Sequence, residues 1–290
     1  MQYENFPETV GNLISSLLNS LLTSLDSNVF SILDELAFLK SSTISDKYFF
    51  SIFSNHSGIV ALAEALVFGF LIYYAIAYLF SVITCSNFQR PLSFITKLFL
   101  TAALIRFSLP ICEKIIDLFF LVSTIIKTIG NSLFSAELSF AVIYSKLKNI
   151  FFEDLYNPFS IFSFDGVLRT FITFGFVNLL FTYSVRFIYV KILVLVSPLA
   201  FLSLSLDQSS WIFKIWLKNF ISQLFTQIII CLVLLIISSL KGISDPVVIK
   251  LLYMAAVVCL MKASSFVKDF SSGFTSDVSS SFSSIKGLFY

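Results

Sequence analysis

Long apolar runs that carry almost no charged residues occupy much of this sequence. Four such runs lie at residues 59–84, 170–206, 219–240 and 246–261. A helix needs about 20 mostly apolar residues to cross the roughly 30 Å hydrocarbon layer of a membrane. The sequence therefore predicts an all-α, polytopic helical membrane protein.

The composition supports this prediction and argues against two other classes of protein. Apolar residues make up 57% of the chain and charged residues 12%, with a mean hydropathy of +0.93. A soluble globular protein carries about 25% charged residues. The formal net charge is only +2 and the basic residues are scattered, so no surface for phosphate contacts with nucleic acid is predicted.

Residues that commonly build catalytic or metal sites are scarce. The chain has one histidine, His56, and four cysteines that lie in or beside apolar runs without a CxxC spacing. Neither a histidine-based metal site nor a disulfide framework is predicted from them. The nine glycines form no phosphate loop, and the motifs GxSxG and HExxH are absent from the sequence. We therefore expect a protein that is not an enzyme and that binds no cofactor.

Residues 1–58 are predicted to form an extramembrane amphipathic helical region. A first stripe of apolar residues, at residues 10–25, has helical spacing. A shorter stripe follows at residues 29–39. The polar side of the first stripe has no Lys or Arg, so packing against protein competes with binding to the membrane surface as its role. Because the first basic residue is Lys40, no cleavable signal is predicted. The residues predicted to face another copy or a partner are Val10, Leu13, Ile14, Leu17, Leu18, Leu21, Leu22 and Leu25.

The first two membrane segments are predicted within residues 59–126. The segment at 59–84 contains a single charged residue, Glu64, and tyrosines suited to a membrane interface. The segment at 98–126 contains several charged residues and Pro110, which removes one helix hydrogen bond. The preferred interpretation is one bent helix that crosses from residue 98 to about residue 118. The alternative is a segment that enters the membrane without crossing.

The rest of the chain is predicted to divide into three parts. Residues 127–166 carry more charge and are expected to form a central periplasmic loop, and residues 167–263 the C-terminal membrane helices. The apolar run at 170–206 has 37 residues and would extend about 55 Å as a helix. That length is long for one crossing and short for two. Residues 264–290 are rich in serine and are predicted to be a flexible tail.

Basic residues in the short loops set the predicted orientation. Arg90 and Lys97 lie between the first two membrane segments, and two more lysines precede the run at 219–240. Placing both pairs in the cytoplasm gives about five transmembrane helices, with the amino terminus outside and the carboxyl terminus inside. Residues 211–218 are predicted to form a short helix on the inner surface. Its predicted interface anchors are Trp211, Trp216, Lys214 and Lys218.

Charged residues inside the apolar runs are candidates for a functional role, because a charge within a membrane costs several kcal/mol unless it is paired or hydrated. Glu64 either reaches the interface, pairs with Lys114 if that end of the second segment returns to the same side, or takes part in transport. Arg186 either lies near a span end and reaches the interface, or lines a hydrated pathway. Pro198 is expected to kink its helix. The candidates for a pathway or for packing are Arg186, Lys191, Pro198, Glu64 and Arg106.

Residues 186–236 carry a more specific pattern. The segment reads RFIYVKILVLVSPLAFLSLSLDQSSWIFKIWLKNFISQLFTQIIICLVLLI. An arginine precedes an apolar run that ends in Ser197 and Pro198, and small and apolar residues, a tryptophan-containing amphipathic segment and a further span follow. This pattern resembles the TrbL-type family, which are polytopic inner-membrane subunits of VirB-type type IV secretion systems. The order of an outside amino-terminal region, early spans, a central loop and later spans is also similar to that family.

The resemblance implies a channel or scaffold subunit that helps to move DNA or protein across the bacterial envelope. It implies a multi-pass protein of the bacterial inner membrane, with a periplasmic amino terminus and a cytoplasmic carboxyl terminus. The implied partners are further copies of this chain in a homo-oligomer, periplasmic and inner-membrane scaffold proteins, ATPases, the translocated substrate and the lipid bilayer.

Two other functions remain open from the sequence. A self-contained transporter or pore for a small solute is expected to be active as a purified protein in vesicles, whereas a secretion subunit is expected to be inert without its partners. A pure membrane anchor for another complex is expected to tolerate neutralisation of Arg186 and Glu64.

Overall fold

The structure, a computed structural model, is built of helices joined by short non-helical segments in the part of the chain that it describes. It describes residues 13, 16, 17, 20, 27–54, 58–84, 91–134, 138–151, 164–206, 209–240 and 246–286, and no strand occurs among them. The helices, in chain order, are α1 (Ser27–Ala37), α2 (Ser41–Ile44), α3 (Lys47–Ser54), α4 (Ile59–Ile83), α5 (Pro91–Phe134), α6 (Phe140–Phe151), α7 (Phe164–Leu202), α8 (Ser210–Ser239) and α9 (Pro246–Lys286), with a 3-10 turn at Ser203–Ser205 after α7.

Within the residues that the structure describes, four stretches of helix are long and apolar enough to cross a membrane. They are Ile59–Ile83 in α4, Gly166–Ser205 in α7 and its following turn, Ser210–Ser239 in α8 and Val247–Val267 in α9. Most of the α4 surface is exposed, including large apolar side chains such as Phe68 and Ile72. The chain is therefore an all-α polytopic membrane protein, which confirms the prediction of fold class.

Helix α5 contains the charged segment that the sequence left uncertain, and it is not among the four stretches. It continues through Pro110 as a single helix. Its first half runs antiparallel to α4: Phe94 stacks on Tyr74 with ring centroids 3.7 Å apart, and Arg106 contacts Glu64. Because the residue numbers of the contacts fall along α4 as they rise along α5, the two helices form a helical hairpin. That α5 crosses the membrane stays a prediction.

The long apolar run at 170–206 folds as one continuous helix with the residues before it. Helix α7 has 39 residues, which corresponds to about 58 Å at 1.5 Å per residue. The helix passes through Pro198, which is buried. No turn divides the run, so the structure does not contain the pair of antiparallel helices that two crossings would need.

Two predicted segments differ from the structure. Residues 211–218 were expected as a separate short helix, but they form the first turns of α8, which has neither Gly nor Pro between Ser210 and Ser239 to interrupt it. Residues 264–290 were expected as a flexible tail, but α9 continues to Lys286. Serine content suggested disorder there, yet the segment retains a helical apolar spacing with Phe266, Phe270 and Phe274 four residues apart.

The chain forms two compact units, each built from separated segments. The first unit consists of Met1–Phe38, Phe120–Phe187 and Phe225–Gly273, and the second of Leu39–Phe119, Ile188–Leu224 and Phe274–Tyr290. Both units take residues from the long helices α5, α7, α8 and α9, so these helices are not confined to one unit.

The core of the first unit gathers buried apolar side chains around α1. Phe30 stacks on Tyr144 of α6 at 4.2 Å between centroids and meets Phe176 of α7 edge-on at 5.4 Å. The same cluster includes Leu33 of α1, with buried residues of α8 and α9. The α1 stripe predicted at residues 29–39 is therefore the packed face of a helix, although Ile32 points outward.

The second unit contains an aromatic cluster around Trp216. Its ring lies 5.5 Å from that of Phe201 and 5.4 Å from that of Phe220, with Phe213 at 5.6 Å. The indole Nε1 donates a hydrogen bond of 2.8 Å to the carbonyl oxygen of Leu193. Since Trp216 is buried, this tryptophan joins the start of α8 to α7 within the unit.

Candidate functional site

Arg186 of α7 is buried and bound to the end of helix α1. Only 4% of its surface is exposed, and Nη1 donates a hydrogen bond of 2.9 Å to the carbonyl oxygen of Ala37. Ala37 is the last residue of α1. The final carbonyls of a helix have no acceptor role inside it and carry the negative end of the helix dipole. The guanidinium is therefore stabilised by the C-terminus of a helix.

Asp34, one turn before Ala37, binds a second helix. Its Oδ1 accepts a hydrogen bond of 3.2 Å from the backbone N–H of Phe140, the first residue of α6. The first N–H groups of a helix lack internal partners and lie at the positive end of its dipole, where a carboxylate is favoured. Helices α1 and α6 also pack against each other. Asp34 thus fixes α1 to the start of α6.

Lys127 of α5 adds a second cation near the end of α1. Its Nζ lies 3.3 Å from the ring centroid of Phe38, the residue that follows α1. An ammonium over an aromatic face is attracted by the ring quadrupole, and the attraction is stronger where water is excluded. Two cations, Arg186 and Lys127, therefore meet the C-terminal end of α1.

Tyr183 extends this arrangement to α9. It lies three residues before Arg186 on α7, is fully buried, and its hydroxyl donates a hydrogen bond of 3.2 Å to the carbonyl oxygen of Leu260. Its ring lies 6.0 Å from that of Phe140. We call Asp34, Lys127, Tyr183 and Arg186 the α1 clamp. Within the first unit, the clamp joins α1 and the residue after it to helices α5, α6 and α7, and Tyr183 joins α7 to α9.

The structure assigns Arg186 a partner that neither sequence interpretation included. Its side chain is buried beneath the end of α1, and both the interface and the pathway interpretations stay predictions. Sequence reasoning also did not select Asp34, Lys127 or Tyr183. The only signal for Asp34 was an acidic residue beside the apolar stripe at residues 29–39.

Lys191, the other basic residue of the apolar run, belongs to the second unit. Its Nζ lies 3.0 Å from Oδ2 of Asp46, which is 51% exposed. Oδ1 of Asp46 accepts a hydrogen bond of 2.9 Å from the N–H of Phe49 and so caps the start of α3. The Phe49 hydrogen bond, followed by the Lys191 contact, holds the pKa of Asp46 below its usual range. Lys191 therefore tethers α3 to α7.

Glu64 and Arg106 form the other ion pair of the second unit. Nε of Arg106 lies 2.6 Å from Oε1 of Glu64, and Nη2 donates a longer hydrogen bond of 3.4 Å to Oε2. The sequence suggested Lys114 as a partner for Glu64, which is wrong for this structure because Lys114 lies two turns further along α5. The pair is partly exposed, with 71% of the Arg106 side chain accessible. It links α4 and α5 in a forked geometry that suits a guanidinium.

The remaining predicted residues fall into two groups. Trp211 is exposed at 59% and Lys214 is exposed, whereas Lys218 is half-buried and Trp216 is buried. Trp216 is therefore a packing residue and not an exposed anchor.

Leu13 and Leu17 of the amino-terminal stripe are both exposed. The stripe residues outside the described part of the chain are Val10, Ile14, Leu18, Leu21, Leu22 and Leu25.

The described residues contain no cluster suited to metal binding. No group of three or more His, Cys, Asp or Glu side chains comes together among them. The charged side chains described above form hydrogen bonds and ion pairs between helices.

Comparison with known proteins does not assign a family. No protein-family model matches the sequence, and no curated protein matches it either.

Proposed function

We propose that this chain is a channel or scaffold subunit of a type IV secretion system in the bacterial inner membrane. The observation that carries the proposal is the resemblance of residues 186–236 to the TrbL-type family. In this structure the segment comprises the second half of α7, the 3-10 turn and most of α8. The chain would act within a homo-oligomer, with scaffold proteins and ATPases as partners and DNA or protein as the translocated substrate.

The contacts of Arg186 support a structural role within such a machine. The first residue of the resembling segment is the one that binds the end of α1. A subunit whose helix α1 is fixed to a membrane helix can transmit force or position between the two. That the amino terminus is periplasmic and the carboxyl terminus cytoplasmic is part of the proposal.

Extraction of a tagged chain from its native host in a mild detergent tests the proposal first. The expected result is co-purification with secretion-system membrane subunits and ATPases in a complex much larger than 32.7 kDa. A clean oligomer without partners that moves a small solute across vesicles on its own would contradict the proposal and favour the self-contained transporter.

A transfer assay with matched variants tests the role of the segment. We expect Arg186→Ala, at a normal protein level, to lose transfer of DNA or protein, because the end of α1 loses its hydrogen-bond donor. Lys114→Ala removes an exposed cation and serves as the control that keeps transfer. Leu17→Asp tests the exposed amino-terminal stripe in the same assay. Full transfer by the Arg186 and Leu17 variants would contradict their proposed roles.

A further inference from the structure

Helix α3 is a short helix that packs within the second unit. Its start is capped by Asp46, which is also bound to Lys191. Phe49 and Phe53 are buried, with ring centroids 6.3 Å apart, and α3 packs against α4. One face of α3 is therefore buried by contacts within the protein.

A second face of α3 is apolar and exposed. At about 100° per residue, Tyr48 and Ile52 share one direction, next to the face of Phe49 and Phe53. Their exposed fractions are 83% and 56%. Phe50 is also exposed, but it lies on the opposite edge of the packed face and does not share the surface of Tyr48 and Ile52.

The third face of α3 is polar. Lys47 and Ser51 lie one turn apart and are both exposed. Apart from Phe50, which lies between the polar and the packed faces, the order around the circumference is a face packed on protein, an exposed apolar face and an exposed polar face. A helix that lies at a membrane surface beside a transmembrane helix has this order, since protein, lipid and water each meet one side of it.

The chain connection keeps α3 close to the membrane. Five residue steps join Ser54 to Ile59, the first residue of the candidate span α4, and they can extend at most about 18 Å. The first turns of α4 expose Leu62 and Leu66, so the apolar surface of the span begins beside α3. Tyrosine is enriched at membrane interfaces because its ring is apolar and its hydroxyl is polar.

We propose that α3 is an interfacial anchor whose Tyr48 and Ile52 enter the headgroup region of the lipid bilayer beside α4. The polar face with Lys47 and Ser51 lies toward water. This surface is independent of the proposed secretion function, and it adds lipid contact to a region that the sequence predicted to be extramembrane.

Tryptophan probes at exposed positions test the anchor with the full-length chain. Tyr48→Trp and Ile52→Trp place a probe on the apolar face, and Ser51→Trp places a matched probe on the polar face. Each variant is reconstituted into phosphatidylcholine and phosphatidylglycerol vesicles, and the emission of the unaltered chain, which has two tryptophans, is subtracted. Thermal unfolding verifies that each variant keeps the stability of the unaltered chain.

The two faces are expected to differ in which quencher reduces their tryptophan emission more. Lipids brominated near the headgroup should quench the added emission at 48 and 52 at least about twofold more than at 51, and aqueous acrylamide should show the reverse order. Equal quenching at all three positions by acrylamide would overturn the proposal. The Ile52 probe decides the question if Tyr48→Trp proves unstable.

Discussion

Arg186 shows how a single charged residue is accommodated in an apolar helix. Its guanidinium binds the carbonyl of Ala37 at 2.9 Å, where the helix dipole of α1 is negative. A hydrogen bond to a charged group contributes about 1.5–3 kcal/mol. The cost of burying this residue is thus offset by a helix end that itself needs a donor.

Arg186→Met removes this donor while keeping a long side chain. We expect amide hydrogen exchange in α1 to accelerate at least about tenfold, which corresponds to a loss of roughly 1.5 kcal/mol from the hydrogen bond. Exchange measured by mass spectrometry on the detergent-solubilised protein provides the test. Lys191→Met is the control, because it removes a cation of the same helix that binds Asp46. Unchanged exchange in α1 of the Arg186 variant would show that the contact does not hold the helix.

Asp46 makes the attachment of α3 sensitive to acid. Its pKa is lowered by the N–H of Phe49 and by Lys191, so the carboxylate stabilises the folded state at pH values above the unfolded pKa of about 3.9. That stabilisation is lost as the pH falls through the lowered folded pKa. We expect hydrogen exchange at the start of α3 to gain protection as the pH rises through this range, after correction for the intrinsic exchange rate.

Asp46→Asn provides the comparison for the pH experiment. The amide cannot titrate, so protection of α3 should be weaker and no longer follow the pH below about pH 4. Equal pH profiles for the two proteins would contradict the assignment of Asp46 as the group responsible.

At the scale of the elements, the packing of α7 against α9 depends on a glycine, which has no side chain. A Cβ added to Gly175 would lie 2.6 Å from Cγ1 of Val257. Valine is branched at Cβ and cannot easily rotate away. The absence of a side chain at Gly175 therefore allows the two helices to approach closely.

Gly175→Ala is expected to lower the free energy of unfolding by about 1–3 kcal/mol through overpacking. The better helix propensity of alanine offsets up to about 1 kcal/mol of this loss. Gly69→Ala in α4 is the matched control, since nothing lies within 4 Å of its added Cβ. Thermal unfolding in the same detergent compares the two variants. A lower Tm for Gly69→Ala than for Gly175→Ala would contradict this account of the helix contact.

At the scale of the whole molecule, the number of crossings depends on α5. The described part of the chain has four candidate spans. Helix α5 runs antiparallel to α4, with Tyr74 against Phe94 and Glu64 against Arg106. If α5 crosses as predicted, the molecule has an odd number of spans and its two termini lie on opposite sides of the membrane.

We expect an epitope at the amino terminus to be accessible from outside the inner membrane and an epitope at the carboxyl terminus only from the cytoplasm. Protease treatment of intact spheroplasts, followed by antibody detection of each epitope, measures this. Lysed spheroplasts provide the control in which both epitopes are digested. Two epitopes on the same side would mean that α5 does not cross.

Local patterns in the sequence were sufficient for much of the fold. Apolar runs of about 20 residues or more predicted the candidate spans, and the periodicity of residues 29–39 predicted the buried face of α1. Both follow from short-range rules, because hydropathy and helical spacing are properties of neighbouring residues. The bounds were less certain: α8 begins earlier and α9 ends later than composition suggested.

The candidate site was predicted only in part. The sequence identified Arg186, Lys191, Glu64 and Arg106 as charges that need an explanation, because charge in an apolar run is costly wherever the run lies. It could not identify their partners, which are separated from them by between 42 and 149 positions. One partner is a backbone carbonyl, which every residue has, so its identity is not encoded in any side chain.

The sequence by itself determined that this protein is helical and lies in a membrane, since both depend on composition and spacing along the chain. Only the tertiary structure decided that Arg186 is clamped to α1, that Trp216 is a packing residue and that α3 keeps an exposed apolar face. These three facts depend on which helix ends and faces meet in space. That pairing is fixed by long-range packing, and no local pattern specifies it.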